Sequence, residues 1–227
     1  MSLLGKGALA MWWDIAPEVR AGFEDWHSHE HFRERLGIPG FLRGSRWGSA
    51  SGGEGFFILY EVEAHETLSS PAYLAHLNAP TPWSTQMMPH HRNMVRSQCR
   101  VLESRGGGMA RHVLTVRLSP APGREGELRG FIASRTGELI NRPGVVGVHL
   151  LAHETPPIAK TTEQALRKGA DRAADWVLVA CGYDTAGLAQ LEASDFAQQA
   201  LTAHGAGPEQ IRGMYLLSYS ATAPDVR

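Results

Sequence analysis

Residues 39–63 read PGFLRGSRWGSASGGEGFFILYEVE, and this stretch decides the fold class. The runs at 41–48 and 55–63 are rich in aromatic and β-branched residues, and the small, polar segment between them is typical of a loop. They predict an antiparallel hairpin. The Pro39-Gly40 pair in front of it ends a helix that begins at Pro17.

The same order of elements is predicted in both halves of the chain. In the first half these are a strand at 8–15, a helix at 17–36, the hairpin, a helical region from residue 71 that breaks at 78–82, and a strand at 96–104. After the glycines at 106–108 follow a strand at 112–118, a helix at 123–140, a hairpin of 145–153 and 176–183, a helix at 185–204 and a strand at 212–220. Pro39-Gly40-Phe41 and Pro143-Gly144-Val145 stand 104 positions apart, which indicates an internal duplication.

The repeated order β-α-β-β-α-β is that of the split-βαβ, ferredoxin-like unit, whose antiparallel sheet carries both helices on one face. The other face of such a sheet needs a cover, and two sheets in one chain can cover each other. We therefore predict an α+β fold. Two tandem ferredoxin-like βαββαβ units, residues 1–106 and residues 107–227, pack sheet to sheet as a barrel with the helices outside.

Charge and composition narrow the classes of partner. The chain has 22 Lys and Arg residues against 23 Asp and Glu, and it has no basic block, so we expect neither nucleic acid nor a membrane as partner. No run approaches the roughly 20 apolar residues of a membrane span. Cys99 and Cys181 lie in strand-like runs, which is typical of buried thiols in a reducing compartment. We expect a cytoplasmic protein with a small-molecule ligand, and edge strands leave a homodimer open.

A polar stripe on the first helix supplies the candidate catalytic residues. His27, His31 and Arg35 recur at a spacing of four residues, at the edge of the apolar face that contains Trp26. Imidazole can take or give a proton near neutral pH, and an arginine can hold a carboxylate or an enolate. The stripe therefore predicts proton transfer next to a carbonyl. A solvated flank of the helix is the alternative.

Further side chains are candidates for substrate binding. Arg46 alternates with small residues along its strand and could reach a pocket, or it could protect a sheet edge. The other candidates are aromatic residues that suit either a ligand wall or ordinary packing: Trp26, Tyr60, Tyr73 and Trp83.

Two further patterns carry weaker predictions. Residues 27–31, HSHEH, match the H-x-x-E-H spelling of a zinc-protease class, but no third ligand is evident on a downstream helix. We predict no metal site, while binding of a divalent metal by two of these histidines stays open. The long loop at 154–175 contains a capping box at Thr161 and Gln164, and its charged composition favours a solvated surface excursion over a lid.

The motif E-H-x-x-x-R followed by P-G-F, here Glu30-His31, Arg35 and Pro39-Gly40-Phe41, resembles the dimeric α/β-barrel superfamily. Within it the chain is most similar to the EthD-like and antibiotic-biosynthesis-monooxygenase-like branches. The second half departs from the motif, because residues 137–143 contain no histidine. The resemblance therefore implies that at most one of the two pseudo-equivalent pockets, that of the first half, carries this chemistry, and it leaves open whether the second half has a pocket of its own.

Members of this superfamily include cofactor-independent oxygenases, isomerases and lyases of small cyclic compounds, and haem-dependent enzymes. The resemblance implies an enzyme without a cofactor that acts on a small, largely apolar metabolite with a carbonyl group or a ring. One alternative is a non-catalytic protein that binds a small molecule. The other is a haem-dependent enzyme, for which His149 or His153 would be the axial ligand.

Overall fold

The structure is a computed structural model that describes residues 3–156, 158–167 and 171–226. Its strands are β1 (Gly7–Asp14), β2 (Phe41–Ser49), β3 (Gly55–Val62), β4 (Arg92–Gly106), β5 (His112–Pro120), β6 (Val145–His153), β7 (Trp176–Gly182) and β8 (Ala206–Thr222). Its α-helices are α1 (Pro17–Trp26), α2 (Phe32–Leu36), α3 (Pro71–Asn78), α4 (Pro82–Met87), α5 (Glu125–Leu139), α6 (Thr162–Leu166), α7 (Thr185–Ala193) and α8 (Gln198–Ala203). A π-helical turn, His27–His31, joins α1 to α2, and short 3-10 turns lie at His65–Ser69, Met88–His90 and Ala223–Val226.

The eight strands close into one antiparallel barrel in the order β1-β3-β2-β8-β5-β7-β6-β4. The strands of the first half are neighbours in the order β4-β1-β3-β2, and those of the second half in the equivalent order β8-β5-β7-β6. This is the strand order of a ferredoxin-like unit. Pairing of β2 with β8 and of β4 with β6 closes the barrel. The predicted fold class, with two such units packed as an α/β barrel within one chain, is confirmed, while the division at residues 106 and 107 remains a prediction.

The two Pro-Gly turns that indicated a duplication have the same backbone conformation. The φ angle is 88° at Gly40 and 87° at Gly144, in the left-handed region that favours glycine. The carbonyl of Gly40 accepts a hydrogen bond from Glu63 N at 2.8 Å, and that of Gly144 accepts one from Tyr183 N at 2.9 Å. Each turn is thus tied to the end of the corresponding strand, as an internal repeat requires.

Alternation along the strands divides the buried side chains between the barrel interior and the outer layers. On β1, Trp12 points into the barrel and stacks on Phe57, with ring centroids 4.9 Å apart. Its neighbours Leu9, Met11 and Trp13 pack against the helices outside. Burial of a large apolar side chain stabilises the fold by about 1.5–3 kcal/mol. The candidate site lies in the outer layer of the first half.

Two helices differ from their predicted form. The helix predicted at 17–36 is interrupted by the π-helical turn, and the one predicted at 185–204 breaks between α7 and α8. At this break Asp195 turns inward and pairs with Arg135 and with Arg142, the latter at 2.5 Å. Two charge-assisted bonds to a buried carboxylate offset the loss of a continuous helix. Within the described residues, no helix has the length and apolarity to cross a membrane.

Candidate active site

An enclosed cavity of about 30 Å³ lies between the first sheet and its helices, with room for one or two water molecules. Five of the predicted site residues line it. Three come from the π-helical turn and α2, and two come from β3 and α3: His27, His31, Arg35, Tyr60 and Tyr73. Apolar side chains complete much of the wall, among them Leu9, Met11, Trp13, Leu77, Met88 and Met94. The polar stripe of the first helix therefore faces this small cavity, whose wall contains both apolar and polar side chains, and not bulk solvent.

The π-helical turn aligns the two histidines of the stripe. Along an α-helix a step of four residues overshoots one turn, whereas the bond from Phe32 N to His27 O, five residues back, widens the turn. The rings of His27 and His31 stack with their centroids 5.4 Å apart and their planes at 21°. His29, by contrast, is exposed and pairs with Asp25 at 2.8 Å. The wider turn thus directs two of the three neighbouring histidines into the cavity.

Arg46 sets the tautomer of His27. The Nη1 atom of Arg46 lies 3.3 Å from His27 Nδ1 and can only donate, so Nδ1 accepts and the ring proton is on Nε2. This Nε2 atom is buried and has no hydrogen-bond partner within residues 3–156, 158–167 and 171–226. Burial, then the charge of Arg46, holds the pKa of His27 well below its usual value. His27 is therefore neutral and has one unpaired N–H donor on the ring edge away from Arg46.

Glu34 orients His31. The Nδ1 atom of His31 lies 3.6 Å from Glu34 Oε2, and neither atom has a hydrogen-bond partner among the described residues. A carboxylate oxygen can only accept, so closer approach of the two atoms requires Nδ1–H as donor and leaves the lone pair of His31 on Nε2. Burial, followed by the charge of Arg35, holds the pKa of His31 well below its usual value. The two stacked histidines are thus neutral, and Arg46 fixes the tautomer of His27.

Arg35 is already neutralised. Its Nη2 atom bonds to Glu163, its Nη1 atom lies 3.3 Å from Glu34 Oε1, and its guanidinium lies 5.8 Å from the centre of the Tyr73 ring. Burial by itself lowers the pKa of Arg35, but the attraction of the two carboxylates outweighs it, so the pKa lies above its usual value. Arg35 has little uncompensated charge to offer a substrate anion, the role that the sequence suggested for it.

The loop from the second half covers the site of the first half. The expectation of a solvated excursion is wrong for Thr161, Glu163 and Arg167, which are buried and line the cavity. Thr162 and Ala165 between them are exposed. The capping box of Thr161 with Gln164 is present at the start of α6. Glu163 is neutralised by Arg35, and Arg167 by Asp171 at 2.7 Å. Local sequence gave no signal for the burial of Glu163, since its partner is 128 residues away.

Sequence reasoning also missed His91 and Arg96. His91 donates from Nδ1 to the carbonyl of Met88 at 3.1 Å, and burial, with the charge of Arg167, lowers its pKa to about 3. Arg96 lies on the outer face of β4 and lines the cavity. It donates to Gln98 Oε1 at 2.8 Å and to the hydroxyl of Tyr73 at 3.1 Å. Neither residue belongs to a recognisable sequence motif: His91 follows another histidine, and Arg96 lies within a strand.

Three predicted substrate-binding residues lie outside the cavity wall. Arg46 is behind His27, where it also bonds to Ser28 and Ser218. Trp26 packs on the His31 ring at 4.6 Å and donates to the carboxylate of Glu30. Trp83 is partly buried against the apolar core. These residues support the site from behind and do not line it.

Three side chains beside the cavity carry atoms that could bind a metal ion. Ligand atoms of His31, Glu34 and Glu163 lie within 4.8 Å of one another, but the guanidinium of Arg35 already contacts both carboxylates. A divalent cation would have to displace a buried cation, so the residues as arranged do not fit one. In the H-x-x-E-H match, Glu30 accepts from Thr81 at 2.5 Å and is not beside a free ligand position.

Haem does not fit the residues either. His149 bonds to Ser104 at 3.0 Å and His153 bonds to the backbone of Gln98, and neither lines the cavity. A space for one or two water molecules is also far smaller than a porphyrin.

Comparison with known proteins gives no family model and no curated protein that matches the chain. Solved structures do match. An anthrone oxidase-like protein aligns over 98% of this chain and 96% of its own, with a TM-score of 0.66 and 11% identity. A proposed monooxygenase from Fusobacterium nucleatum aligns over 96% and 95%, with a TM-score of 0.62 and 10% identity. One from Lactobacillus acidophilus aligns over 96% and 97%, with a TM-score of 0.60 and 7% identity.

At these identities the likeness concerns the fold. It agrees with the closed eight-stranded barrel and with the ferredoxin-like strand order of both halves. The chain therefore has the fold of the dimeric α/β-barrel proteins, with both ferredoxin-like units in one polypeptide.

Proposed function

We propose that the protein is an enzyme that transfers a proton at a carbon next to the carbonyl of a small, largely apolar substrate, without an organic cofactor. The observation that carries the proposal is the stacked pair of His27 and His31. Burial keeps both rings neutral, Arg46 places the proton of His27 on Nε2, and the carboxylate of Glu34 beside Nδ1 of His31 favours a proton there. One ring can donate a hydrogen bond while the other accepts a proton, which is the equipment for general acid–base catalysis.

The chemistry assigns one role to each ring. The Nε2–H of His27 donates to the carbonyl oxygen of the substrate. His31 Nε2 takes the proton from the neighbouring carbon, the C–H electron pair forms the C=C bond of an enolate, and the negative charge collects on the oxygen beside His27. Return of the proton to the opposite face of the same carbon, or to the far carbon of a conjugated dienolate, gives an isomer, so the step needs no oxidant.

Glu34 stabilises the product of this proton transfer. A neutral, desolvated imidazole is a weak base, and a carboxylate next to Nδ1 stabilises the imidazolium that forms. The separation of 3.6 Å between His31 Nδ1 and Glu34 Oε2 is longer than a hydrogen bond, and catalytic contacts of this kind often shorten when substrate binds. Glu34 is thus a positioning residue that acts through His31.

The walls of the cavity define the size and polarity of the substrate. Leu9, Met11 and Trp13 exclude water, which strengthens the electrostatic interactions inside. The cavity must widen to admit an organic molecule. A second cavity of about 310 Å³ lies beyond Gln98 and Gln164, and Gln164 belongs to the wall of both. Movement of the α6 segment would join the two spaces.

The names of structural neighbours support an enzyme. Two of them are proposed monooxygenases and one is an anthrone oxidase-like protein. Removal of a proton from carbon is also the first step of oxygenation without a cofactor, in which dioxygen is the co-reactant that attacks the carbanion. Proton transfer is therefore the step that both outcomes share.

Exchange of substrate C–H for C–D in D2O tests the proposal. The wild-type protein is incubated with cyclic ketones and 1,3-diketones, and the loss of the proton signal is followed by NMR. We expect exchange above the buffer rate, and a drop of about 100-fold or more in His31→Gln. His29→Gln is the matched control, because His29 is on the same turn and exposed. Binding of these compounds without any exchange would show a non-catalytic binding protein.

A further inference from the structure

Three arginines line the cavity, and two of them have carboxylate partners. Arg35 contacts Glu163 and Glu34, and Arg167 contacts Asp171. Arg96 differs, because the two partners that it has among the described residues, Gln98 and Tyr73, are neutral. No carboxylate lies within 4.0 Å of it in residues 3–156, 158–167 and 171–226. The cavity wall therefore contains one buried cation whose charge is not balanced.

Such a cation is unfavourable without a partner. A guanidinium is charged at every pH that proteins meet, and removing it from water is costly unless an anion compensates. Arg96 is 9% exposed. Of its five N–H groups, the two bonds to Gln98 and Tyr73 use two, and a carboxylate can accept from two of those that remain.

Tyr73 adds a second donor at the same place. Because Arg96 can only donate, the Tyr73 oxygen accepts from it, and the phenolic proton of Tyr73 is left to donate to a ligand. Gln98 cannot serve in this way, since its oxygen is on Arg96 and its Nε2 donates to the carbonyl of Leu68 at 3.2 Å. The bond to Leu68 also fixes the orientation of the Gln98 amide, and through it that of Arg96.

We propose that Arg96 and Tyr73 bind a carboxylate of the ligand, so that the substrate is a small carbonyl compound with a carboxylate group. The identification of this ligand as the substrate rests on the proposed function, whereas the anion site does not. A planar guanidinium matches a planar carboxylate through two parallel bonds. The apolar walls then accommodate the carbon skeleton, and His27 and His31 are in the same cavity.

Entry of an anion is consistent with the charge outside the site. The wall of the larger cavity beyond Gln98 contains Lys160 and Asp171. The charge of Asp171 is balanced by Arg167, which leaves Lys160 as the unbalanced charge among the described residues of that wall. Gln98 is the partner of Arg96. A carboxylate that approaches from this side passes from an exposed cation to a buried one. The gain in Coulomb attraction toward the low-dielectric interior favours movement in that direction.

Binding of non-reactive probes tests the site without any activity. Benzoate and cyclohexanecarboxylate are titrated against the full chain by calorimetry, together with benzamide and cyclohexanecarboxamide as neutral counterparts of the same shape. We expect each carboxylate to bind about tenfold or more tightly than its amide, because it accepts charge-assisted hydrogen bonds. Equal affinity of carboxylate and amide would overturn the inference. Inorganic phosphate that binds more tightly than benzoate would overturn the choice of carboxylate.

The variant Arg96→Gln should abolish the preference for carboxylate, while Arg92→Gln, an exposed arginine on the same strand, should retain it. If Arg96→Gln does not fold, as judged by circular dichroism, Tyr73→Phe is the second variant. Its benzoate affinity should fall several-fold and that of benzamide by less, since the hydrogen bond from the Tyr73 hydroxyl to a carboxylate is charge-assisted and stronger than the bond to an amide oxygen. An unchanged preference in either folded variant would contradict the assignment.

The two proposals fail in different ways. Benzoate has no proton on a carbon next to a ketone, so its binding is independent of catalysis. Carboxylate binding without any ketone exchange would leave the anion site intact and overturn the proton-transfer enzyme. Exchange of neutral ketones without a carboxylate preference would do the reverse.

Discussion

The Nη1 atom of Arg46 lies 3.3 Å from Nδ1 of His27, and this contact places the ring proton of His27 on Nε2. Arg46 itself is held by Ser28, by Ser218 and by the carbonyl of Glu24. Its hydrogen-bonding capacity is thus directed toward the back of the histidine and not toward the cavity. An arginine of β2 thereby determines which hydrogen bond the first helix can offer to a ligand.

Loss of Arg46 should therefore affect catalysis more than binding. In Arg46→Met we expect kcat for proton exchange to fall about 10- to 100-fold with a small change in KM, because the donor on Nε2 is no longer fixed. The pKa of His27 should rise, since the charge of Arg46 is one cause of its low value. Nitrogen NMR of the labelled imidazoles reads out the tautomer and the pKa.

Arg20→Gln is the control for Arg46→Met, as Arg20 lies on α1, directly before the turn of His27, with its guanidinium over Phe56. It should leave both the tautomer and kcat unchanged. A His27 ring that keeps its Nε2–H form in Arg46→Met would show that another group selects the tautomer.

The buried ion pair of Arg35 in the first half with Glu163 in the second half should contribute to the stability of the whole protein. In Glu163→Gln a buried guanidinium loses one of its two carboxylates, so we expect a loss of about 3 kcal/mol in the free energy of unfolding. Urea unfolding followed by tryptophan fluorescence measures it. Glu154→Gln, which removes an exposed partner of Arg100, should shift the midpoint far less. Equal shifts in the two variants would contradict a buried, stabilising pair.

The buried histidines predict a loss of stability in mild acid. Burial lowers the pKa of His27, His31, His91 and His149 in the folded state, for His91 and His149 to about 3. The unfolded chain takes up protons on these rings near pH 6.5, where the folded protein does not. Their contribution is therefore complete above pH 6.5 and declines as the pH falls toward the folded pKa, by up to about 1.4 kcal/mol per pH unit for each ring.

Urea titrations at intervals between pH 7.5 and pH 5.5 measure this slope. His91→Gln should flatten it, because one ring no longer takes up a proton on unfolding, whereas His29→Gln should leave it as in the wild type. A free energy of unfolding that stays constant or increases as the pH falls from 7.5 to 5.5 would show that the buried rings are protonated in the folded state.

Much of the architecture followed from sequence. The Pro-Gly turns at Gly40 and Gly144, the hairpins and the order of strands depend on local signals, and each is present where it was predicted. Strands β4 and β8 are longer than predicted. Residues 105–106 of β4 and 221–222 of β8 pair with strands of the other half, whereas residues 92–95 and 206–211 extend the pairing with β1 and β5 of their own half. Only the folded barrel provides those partners.

The candidate site was predictable in part. The stripe of His27, His31 and Arg35 was evident because helical spacing is local, and the structure brings the three side chains to one cavity. Glu163 and Arg96 were not, since their role depends on which groups lie opposite them in space. A charged residue in a loop is predicted to be exposed unless a buried partner of opposite charge is known. For Glu163 that partner is Arg35, which is distant in sequence.

The pH profile of proton exchange tests the central claim, which is that His31 works as a neutral base. With the pKa of His31 well below its usual value, kcat/KM for exchange of a ketone proton should be constant from pH 8 to pH 6, and His31→Gln should lack the activity throughout. A rate that falls with a midpoint near pH 6.5, or one that survives in His31→Gln, would contradict the account.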